Sequence, residues 1–314
     1  GCGCKPQGVT EKYVITIEYN NGYGNNEILI DQGSQLVIDV KLQYTGYDFC
    51  GWYLDKEFTI PLPSDYVPTG DTTVYAKWEV SKIAVTFYVD DDVYEEQIID
   101  IVEKSKKVGV DFFFVGGSLL TTDSLDNCIK LIKQHCDIPV LIFPGNSLQI
   151  SKWCDGFLLL SLISGRNAEM LIGRHVISAP YLKLYGNEII PTGYMLVDGG
   201  KPTSVSYMSN TTPIPYDKDD IAMCTALAGE MLGLKVIYMD AGSGAINPIS
   251  PSMIYKVKKT IEVPLIVGGG INTPEKAAAA AAAGADIVVV GNALEKSNDR
   301  LQEFSDAVHN VIES

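Results

Sequence analysis

Three glycine-bearing turns follow three successive predicted strands near the end of the chain. They are Asp240–Ala245 (DAGSGA), Gly268–Ile271 (GGGI) and Gly291-Asn292, and each follows a short apolar, β-branched run. Glycine permits the positive φ angles and close backbone approach that let several N–H groups converge on one phosphate. Because the turn recurs on consecutive strand-to-helix loops, it favours a parallel barrel whose phosphate site follows its last strands.

An alternation of helical and strand patterns extends this interpretation backward to about residue 97. Predicted strands cover 111–115, 139–143, 156–160, 188–191, 236–239, 265–267 and 287–290. Apolar residues recur at helical spacing between them, at 98–108, 125–134, 169–178, 221–232, 253–259 and 274–283, and a long loop runs to about 215. These seven strands leave a (β/α)₈ TIM barrel one strand short.

Residues 11–79 have a different pattern, with short β-branched runs at 13–19, 27–30 and 36–40 separated by Asn/Gly turns. Aromatic residues cluster in 46–55 (GYDFCGWYLD) and 73–78 (TVYAKW). We expect these aromatics to form the core of a small sheet. The stretch resembles the repeat of internalin-type and Bacteroides surface proteins. The predicted organisation is therefore α/β, with a small all-β module at 1–80 preceding a barrel at 81–314.

The first strand of the barrel is predicted at 82–89. An open barrel of seven parallel strands would expose unpaired edges, which favours this assignment. The same segment, continued to Tyr94, also resembles the opening strand of a second copy of the surface repeat. Both interpretations stay open from the sequence.

The charge of the chain restricts its partners. A formal net charge of −15 without a basic stripe excludes nucleic acid, whose phosphate backbone requires clustered cations. An anionic substrate must then be held locally, by backbone N–H groups, a metal or a few side chains.

The cysteines bear on the compartment. Cys128, Cys136, Cys154 and Cys224 fall in apolar-periodic segments, which predicts buried free thiols, a reducing compartment and hence a cytoplasmic barrel. The chain begins Gly1-Cys2 without Met, which suggests a processed or trimmed product. Cys2 then marks either a lipid-anchored, surface form or a cloning remnant.

A longer pattern surrounds the glycine turns. Tyr238–Ala245 (YMDAGSGA), Val267–Ala277 (VGGGINTPEKA) and Val289–Asn292 (VVGN) resemble the sn-glycerol 1-phosphate site of the geranylgeranylglyceryl and heptaprenylglyceryl phosphate synthase family. The resemblance continues through 114–118 (FVGGS), 161–167 (SLISGRN) and 190–195 (IPTGYM), covers about residues 97–300, and is most like the bacterial, Bacteroidetes-type branch.

The resemblance implies a prenyltransferase. Such an enzyme alkylates sn-glycerol 1-phosphate with an all-trans polyprenyl diphosphate such as geranylgeranyl diphosphate, giving an ether lipid precursor and pyrophosphate. The implied glycerol phosphate residues are Tyr238, Asp240, Ala241, Gly242, Ser243, Gly244, Gly269, Gly270, Gly291 and Asn292. Tyr238 and Asp240 are implied to hold the glycerol hydroxyls, and a carboxylate at the end of a strand can accept the hydroxyl proton.

Two further segments are candidates for contact with the prenyl diphosphate. Trp153 and the apolar run 157–160 are candidates for lining a prenyl groove, although buried packing is the alternative for Leu158 and Leu160. Arg166 and Asn167 are placed either to touch the diphosphate or to begin a helix.

The resemblance also implies Mg²⁺, held by Asp90 after the first strand and Ser118 after the second. Magnesium would neutralise the leaving diphosphate. The family has an Asp-Pro-Asp-Lys-like turn after its first strand, whereas this chain has Asp90-Asp91-Asp92-Val93. A triple Asp is either a metal site or a solvated turn, so this departure bears directly on metal binding and catalysis.

Two functions are therefore open. The first is the prenyltransferase, for which we also expect a homo-oligomer and peripheral membrane contact through the lipid product. The second is a surface-type binding protein, or a chimera, that carries an inactive phosphate-binding barrel. The N-terminal repeat favours an extracellular location, whereas polyprenyl diphosphates are made inside the cell.

Overall fold

The computed structural model describes residues 12–20, 25–39, 47–80, 82–88, 95–116, 125–291, 294 and 298–310. The chain divides into two compact units between Val80 and Ser81. The first unit contains a four-stranded sheet, and the second contains a closed barrel of eight strands. No helix in these ranges is both long and apolar enough to cross a bilayer.

The N-terminal sheet consists of β1 (Lys12–Glu18), β2 (Asn25–Asp31), β3 (Tyr47–Tyr53) and β4 (Thr72–Val80). Its strand order is β2-β1-β4-β3, with β1 and β4 parallel and the two outer pairs antiparallel. Alternate residues of β1 and β4 are buried, among them Ile15, Ile17 and Val74, and Trp52 packs against them. The small apolar core therefore includes one of the predicted aromatics.

The predicted strand at 36–40 is wrong over 36–39, where the backbone is irregular, and Val40 lies outside the described residues. Leu36 is nevertheless buried in the sheet core, and its N–H donates to the carbonyl of Tyr66 at 2.8 Å. An apolar residue in a loop can thus produce the β-like pattern, because its backbone is satisfied by another loop.

The elements of the second unit, in chain order, are β5 (Lys82–Tyr88), α1 (Glu95–Val108), β6 (Phe112–Gly116), α2 (Leu125–His135), β7 (Val140–Ile142), β8 (Gly156–Leu162), α3 (Arg174–Tyr185), β9 (Glu188–Leu196), α4 (Ser204–Ser209), α5 (Asp219–Met231), β10 (Val236–Asp240), α6 (Pro251–Lys258), β11 (Leu265–Gly268), α7 (Pro274–Ala282), β12 (Ile287–Val290) and α8 (Leu301–His309). A π-helical turn at Glu169–Gly173 precedes α3, and a 3₁₀ turn at Asn298–Arg300 precedes α8.

Several elements differ from the sequence prediction. The predicted helix 169–178 is a π-helical turn followed by α3, which continues to Tyr185. The predicted strand 188–191 continues to Leu196, α4 forms inside the predicted long loop, and α8 was not anticipated. Gly193 looks like a strand breaker in sequence, yet a Cβ there would lie 2.8 Å from Ile237 Cδ1 and 2.9 Å from Ile163 Cδ1. The glycine therefore serves close packing inside a continuous strand.

Closure of the barrel rests on β5. It pairs in parallel with β12 and β6, so that Val85 lies opposite Val290 on one side and Phe113 on the other. The N–H of Ile83 also donates to Asp111 Oδ2 at 2.8 Å. The (β/α)₈ TIM barrel and its first strand are confirmed, with residue 89 of the predicted span lying outside the described residues.

Side chains alternate between two apolar layers along each strand. On β10, Ile237 and Met239 pack in the layer between strands and helices, whereas Tyr238 packs in the barrel interior. Because the strand period is two, Asp240 follows Tyr238 on the inner face, at the carboxyl end of the strand. The barrel thus places both predicted side chains at the end where TIM barrels hold their sites.

Removal of the Ile83 side chain tests whether β5 contributes to the barrel. Ile83 is fully buried, so Ile83→Ala is expected to lower the unfolding free energy of the barrel by about 2–5 kcal/mol. Leu232→Ala, at an exposed position of the barrel unit, is the control and is expected to cost less than about 0.5 kcal/mol. Denaturant unfolding followed by the helical circular dichroism signal measures both. Equal, small losses would contradict the closing role of β5.

Candidate active site

Asp240 occupies the end of β10 and is almost fully buried, with 7% of its surface exposed. One carboxylate oxygen, Oδ2, accepts a hydrogen bond from the Tyr194 hydroxyl at 2.6 Å. The other, Oδ1, accepts from the backbone N–H of Gly242 at 2.7 Å. The carboxylate therefore accepts one hydrogen bond from a side chain of β9 and one from the backbone of the turn after β10.

Burial raises the pKa of Asp240 above its ordinary value, and the hydrogen bonds from Tyr194 and Gly242 oppose that shift. The raised pKa makes this carboxylate a better proton acceptor than an exposed aspartate. A buried base beside a cavity can accept a proton from a bound hydroxyl.

Aromatic rings surround this carboxylate on the inner face of the barrel. The rings of Tyr194 and Tyr238 meet edge to face, with centroids 5.5 Å apart. Phe143 packs against both, at 5.9 Å from Tyr194 and 5.1 Å from Tyr238. This packing fixes the rotamers of the two tyrosines, so their hydroxyls are positioned before any ligand arrives.

The glycine turns bring backbone close to Asp240. Gly269 has φ +80°, and a Cβ there would lie 2.5 Å from Asp240 Oδ1 and 2.6 Å from the Gly242 nitrogen. Gly242 has φ +88°, and a Cβ there would meet the Thr203 side chain at 2.7 Å. Both positions need glycine for conformation and for space, as the sequence pattern predicted.

A cavity of about 400 Å³ opens above these turns and is called here the phosphate cup. Its lining residues are Tyr238, Asp240, Ser243, Gly244, Ala245, Gly269, Gly270, Ile271, Asn272, Val289, Gly291, Arg300 and Phe304. Glycine backbone from the sixth, seventh and eighth barrel strands thus converges on one space, which suits a phosphate group.

A second, apolar cavity of about 110 Å³ lies beside the cup and is called here the apolar channel. Phe157, Leu160, Met170 and Val205 are among its lining residues, with Tyr194. Asp240 and Ser243 line both cavities. The buried carboxylate therefore stands where a polar cup for an anion meets an apolar channel.

The structure gathers most of the predicted substrate residues in one place. Tyr238, Asp240, Ser243, Gly244, Gly269, Gly270 and Gly291 line the cup. Ala241 and Gly242 form the turn between them, where the Ala241 N–H donates to the carbonyl of Gly268 at 3.1 Å. Asn292 and the two predicted metal ligands, Asp90 and Ser118, lie outside the described residues. Within the described ranges, no three acidic, His or Cys side chains cluster as a metal site would require.

Trp153 does not line the apolar channel. Its side chain is 41% exposed, and the ammonium groups of Lys130 and Lys152 lie 4.7 and 5.1 Å from its ring centroid. Leu160 lines the channel, whereas Leu158 is buried in the barrel interior. The apolar run after Trp153, rather than the tryptophan itself, therefore forms the channel wall.

Asn167 takes the helix-start role. Its Oδ1 accepts from the Glu169 N–H at 3.1 Å, at the beginning of the π-helical turn, and its Nδ2 donates to the carbonyl of Ser209 at 2.8 Å. Arg166 Nη1 donates to the carbonyl of Gly165 at 3.2 Å. The bond from Asn167 to Ser209 joins the loop after β8 to α4, which forms part of the channel wall.

Tyr194 and Arg300 are site residues that the sequence interpretation missed. Tyr194 lies in the predicted loop after residue 191, and its partnership with Asp240 becomes visible only when β9 is extended and paired with β10. The continuous apolar run Tyr194–Val197 (YMLV) was the available signal. Arg300 precedes the unpredicted helix α8, and no local pattern marks it as a site residue.

A closed eight-stranded barrel with glycine turns after its last three strands defines a phosphate-binding TIM barrel, here with an adjoining apolar channel. The profile of the PcrB family matches residues 77–310. The chain belongs to the PcrB family. Residues 13–77 match the Listeria-Bacteroides repeat domain, in agreement with the small β module.

Relatives and solved structures agree with this assignment. The chain is 58% identical to a geranylgeranylglyceryl phosphate synthase of Chitinophaga pinensis over 70% of this chain and 87% of that protein. It is 40% identical to the synthase of Thermococcus kodakarensis, over 76% of this chain and 96% of that protein. The crystal structure of the Thermoplasma acidophilum (S)-3-O-geranylgeranylglyceryl phosphate synthase, in complex with its substrate sn-glycerol-1-phosphate, superposes with a TM-score of 0.68 at 34% identity. That superposition covers 73% of this chain and 94% of the Thermoplasma chain.

Tyr194→Phe tests the support of the carboxylate. The substitution removes a hydrogen bond that favours ionised Asp240, so the pKa of Asp240 is expected to rise further. The acid limb of the rate–pH profile should then move to higher pH, and kcat/KM should fall by about 10- to 100-fold. A pH series of initial rates measures both effects. An unchanged acid limb would mean that Asp240 does not control the rate.

Gly269→Ala tests the close approach of the glycine turn. Gly233 provides a matched control, because it has φ +90° with nothing within 4 Å of a Cβ, whereas Gly269 would clash with Asp240 and Gly242. Both alanine variants carry backbone strain of about 1 kcal/mol. Only Gly269→Ala is expected to abolish binding of sn-glycerol 1-phosphate, as measured by calorimetry. Equal binding by the two variants would show that the glycine serves the turn alone.

Proposed function

We propose that this protein is a prenyltransferase that joins a polyprenyl group to sn-glycerol 1-phosphate through an ether bond. The observation that supports it is the buried carboxylate of Asp240 between the phosphate cup and the apolar channel. One reaction that needs a phosphate site, an apolar site and a base at their junction is the alkylation of a phosphorylated alcohol by a prenyl chain. The names of the similar synthases support the same substrates.

Each group of site residues has a role in the proposed reaction. The cup binds the phosphate, and Tyr238 and Asp240 orient the glycerol so that one hydroxyl faces the channel. The hydroxyl oxygen bonds to the first carbon of the prenyl chain, and the bond between that carbon and the diphosphate oxygen breaks. The hydroxyl proton passes to Asp240, whose raised pKa suits it to accept the proton, and pyrophosphate leaves.

The prenyl chain belongs in the apolar channel. Phe157, Leu160 and Met170 offer it an apolar surface, and Asp240 also lines the channel. Burying the chain away from water contributes roughly 0.8 kcal/mol per methylene, which would hold the diphosphate end at the reaction site. We propose geranylgeranyl diphosphate as the donor, because the similar synthases are named for that group.

Magnesium is part of the proposal. Asp90 and Ser118 follow the first two strands of the barrel, β5 and β6, and are the residues that would hold it. When bound, Mg²⁺ would neutralise the charge that develops on the leaving diphosphate.

We also propose a cytoplasmic location, because polyprenyl diphosphates are made inside cells. A homo-oligomer and contact with a membrane surface stay predictions. α3 offers a surface for either, since Val176, Ile177, Tyr181 and Leu184 are all exposed. Sedimentation of the protein alone tests for the homo-oligomer, and sedimentation with lipid vesicles tests for contact with a membrane.

The second candidate is a surface-type binding protein whose barrel binds a phosphate ligand without turnover. The match of residues 13–77 to the Listeria-Bacteroides repeat domain favours it. The two candidates differ in one respect that can be measured, which is whether an ether product forms.

A radiolabel assay with sn-glycerol 1-phosphate and geranylgeranyl diphosphate tests the proposal. The full chain should form the ether product with Mg²⁺ and lose activity when a chelator removes the metal. Asp240→Ala should lower kcat by at least about 100-fold, because the buried base is lost. Asp217→Ala, at an exposed carboxylate paired with Lys218, is the matched control and should retain activity. Glycerol phosphate binding without product in the wild type would instead establish the second candidate.

A further inference from the structure

Arg300 brings a cation to the phosphate cup. The structure resolves it at the end of the 3₁₀ turn before α8, and it lines the cup together with Gly269, Gly270 and Gly291. It is the one cationic side chain among the described residues of that lining. The whole chain carries a net charge of −15, so the general field of the protein does not attract an anion.

The charge balance of the cup makes this cation significant. A phosphate monoester carries a charge of about −1.5 to −2 at neutral pH. The carboxylate of Asp240 lines the same cavity and repels such an anion whenever it is ionised. Glycine N–H groups supply only partial positive charge. A guanidinium in the lining offsets part of this negative charge.

The side chain of Arg300 contacts two residues of the helix that follows it, α8. Its Nε donates to Glu303 Oε2 at 2.9 Å, and its Cζ lies 5.9 Å from the ring centroid of Phe304. Phe304 is 1% exposed and also lines the cup, so it gives the guanidinium a fixed surface. A guanidinium has five N–H donors, and the bond from Nε to Glu303 does not use the donors of the two Nη groups.

The ion pair with Glu303 is better explained by orientation than by stability. The side chains of Arg300 and Glu303 are 46% and 57% exposed, and such surface pairs contribute little to folding. The pair fixes the guanidinium plane at the edge of the cavity, which lowers the ordering cost of binding.

We propose that Arg300 is a substrate-binding residue, whose guanidinium holds the phosphate of sn-glycerol 1-phosphate in the cup, and that Glu303 positions it. The identity of the ligand rests on the proposed function, but the binding of a phosphate group does not require turnover. α8 thereby contributes to the site, in addition to the glycine turns of the barrel.

Calorimetric titration of the full chain with sn-glycerol 1-phosphate, and separately with inorganic phosphate, tests this assignment. Arg300→Gln is expected to raise the Kd for both by about 10- to 100-fold. Arg300→Lys should lose less, because it keeps the charge but not the planar pair of donors. Glu303→Gln should give a smaller loss than Arg300→Gln, because it disturbs orientation alone.

Lys256→Gln is the matched charge control. Lys256 is 42% exposed and pairs with Asp220, so the substitution removes the same charge from a similar ion pair on α6. Its Kd values should equal those of the wild type. An Arg300→Gln protein that binds phosphate as the wild type does would overturn the assignment, as would an equal loss in Lys256→Gln. If Arg300→Gln does not fold, the same criteria apply to Arg300→Lys, which retains most of the side chain.

Turnover separates this inference from the proposed function. In an active enzyme, Arg300→Gln should raise the KM for sn-glycerol 1-phosphate and leave the KM for the prenyl diphosphate unchanged. A wild-type protein without turnover, whose phosphate binding still depends on Arg300, would overturn the prenyltransferase and support the role of Arg300. Normal turnover with unchanged substrate KM values in Arg300→Gln would support the prenyltransferase and overturn the role of Arg300.

Discussion

The parallel pairing of β5 with β12 is the constraint on which the site depends. It joins the first and last strands of the barrel, so that all eight carboxyl ends meet on one rim. Without this pairing, the turns after β10, β11 and β12 would end at an open edge, where their backbone groups would lack a common centre. Closure makes three separate glycine turns into one cup and directs the inner side chains of neighbouring strands toward each other.

Electrostatics then determine what this rim can do. An acidic protein with a phosphate-binding barrel cannot rely on a basic surface to attract an anion. The structure offers local solutions, in which glycine backbone approaches the ligand, a buried carboxylate has its pKa raised by desolvation, and one guanidinium lines the cup. The same burial that makes Asp240 a useful base also makes its charge costly, and the donors of Tyr194 and Gly242 offset part of that cost. The proposed role of Asp240 as a base and the local stability are thus opposed at this residue.

The N-terminal module follows a simpler physical rule. Its sheet has few fully buried side chains, and its aromatic rings supply much of the remaining apolar contact, as between Phe49 and Trp78 at 5.3 Å. Small domains bury a small fraction of their surface, so large aromatic side chains compensate for a short core. Phe49 is nevertheless 40% exposed, which shows that part of an aromatic cluster in a small sheet lies at the surface.

The sequence alone predicted the barrel class and the glycine turns, because strand period, helix period and the steric freedom of glycine act within a few residues. The role of Asp240 was implied by the family resemblance and stays a prediction. Local patterns also located β5, although a second copy of the surface repeat remained an alternative until strand pairing resolved it. Tertiary structure decided the partnership of Tyr194 with Asp240, the exclusion of Trp153 from the channel and the arrival of Arg300 at the cup. These three outcomes depend on which strands pair and where a helix returns to the barrel rim. Contacts between residues 46 positions apart, such as Tyr194 and Asp240, leave no periodic trace in the chain.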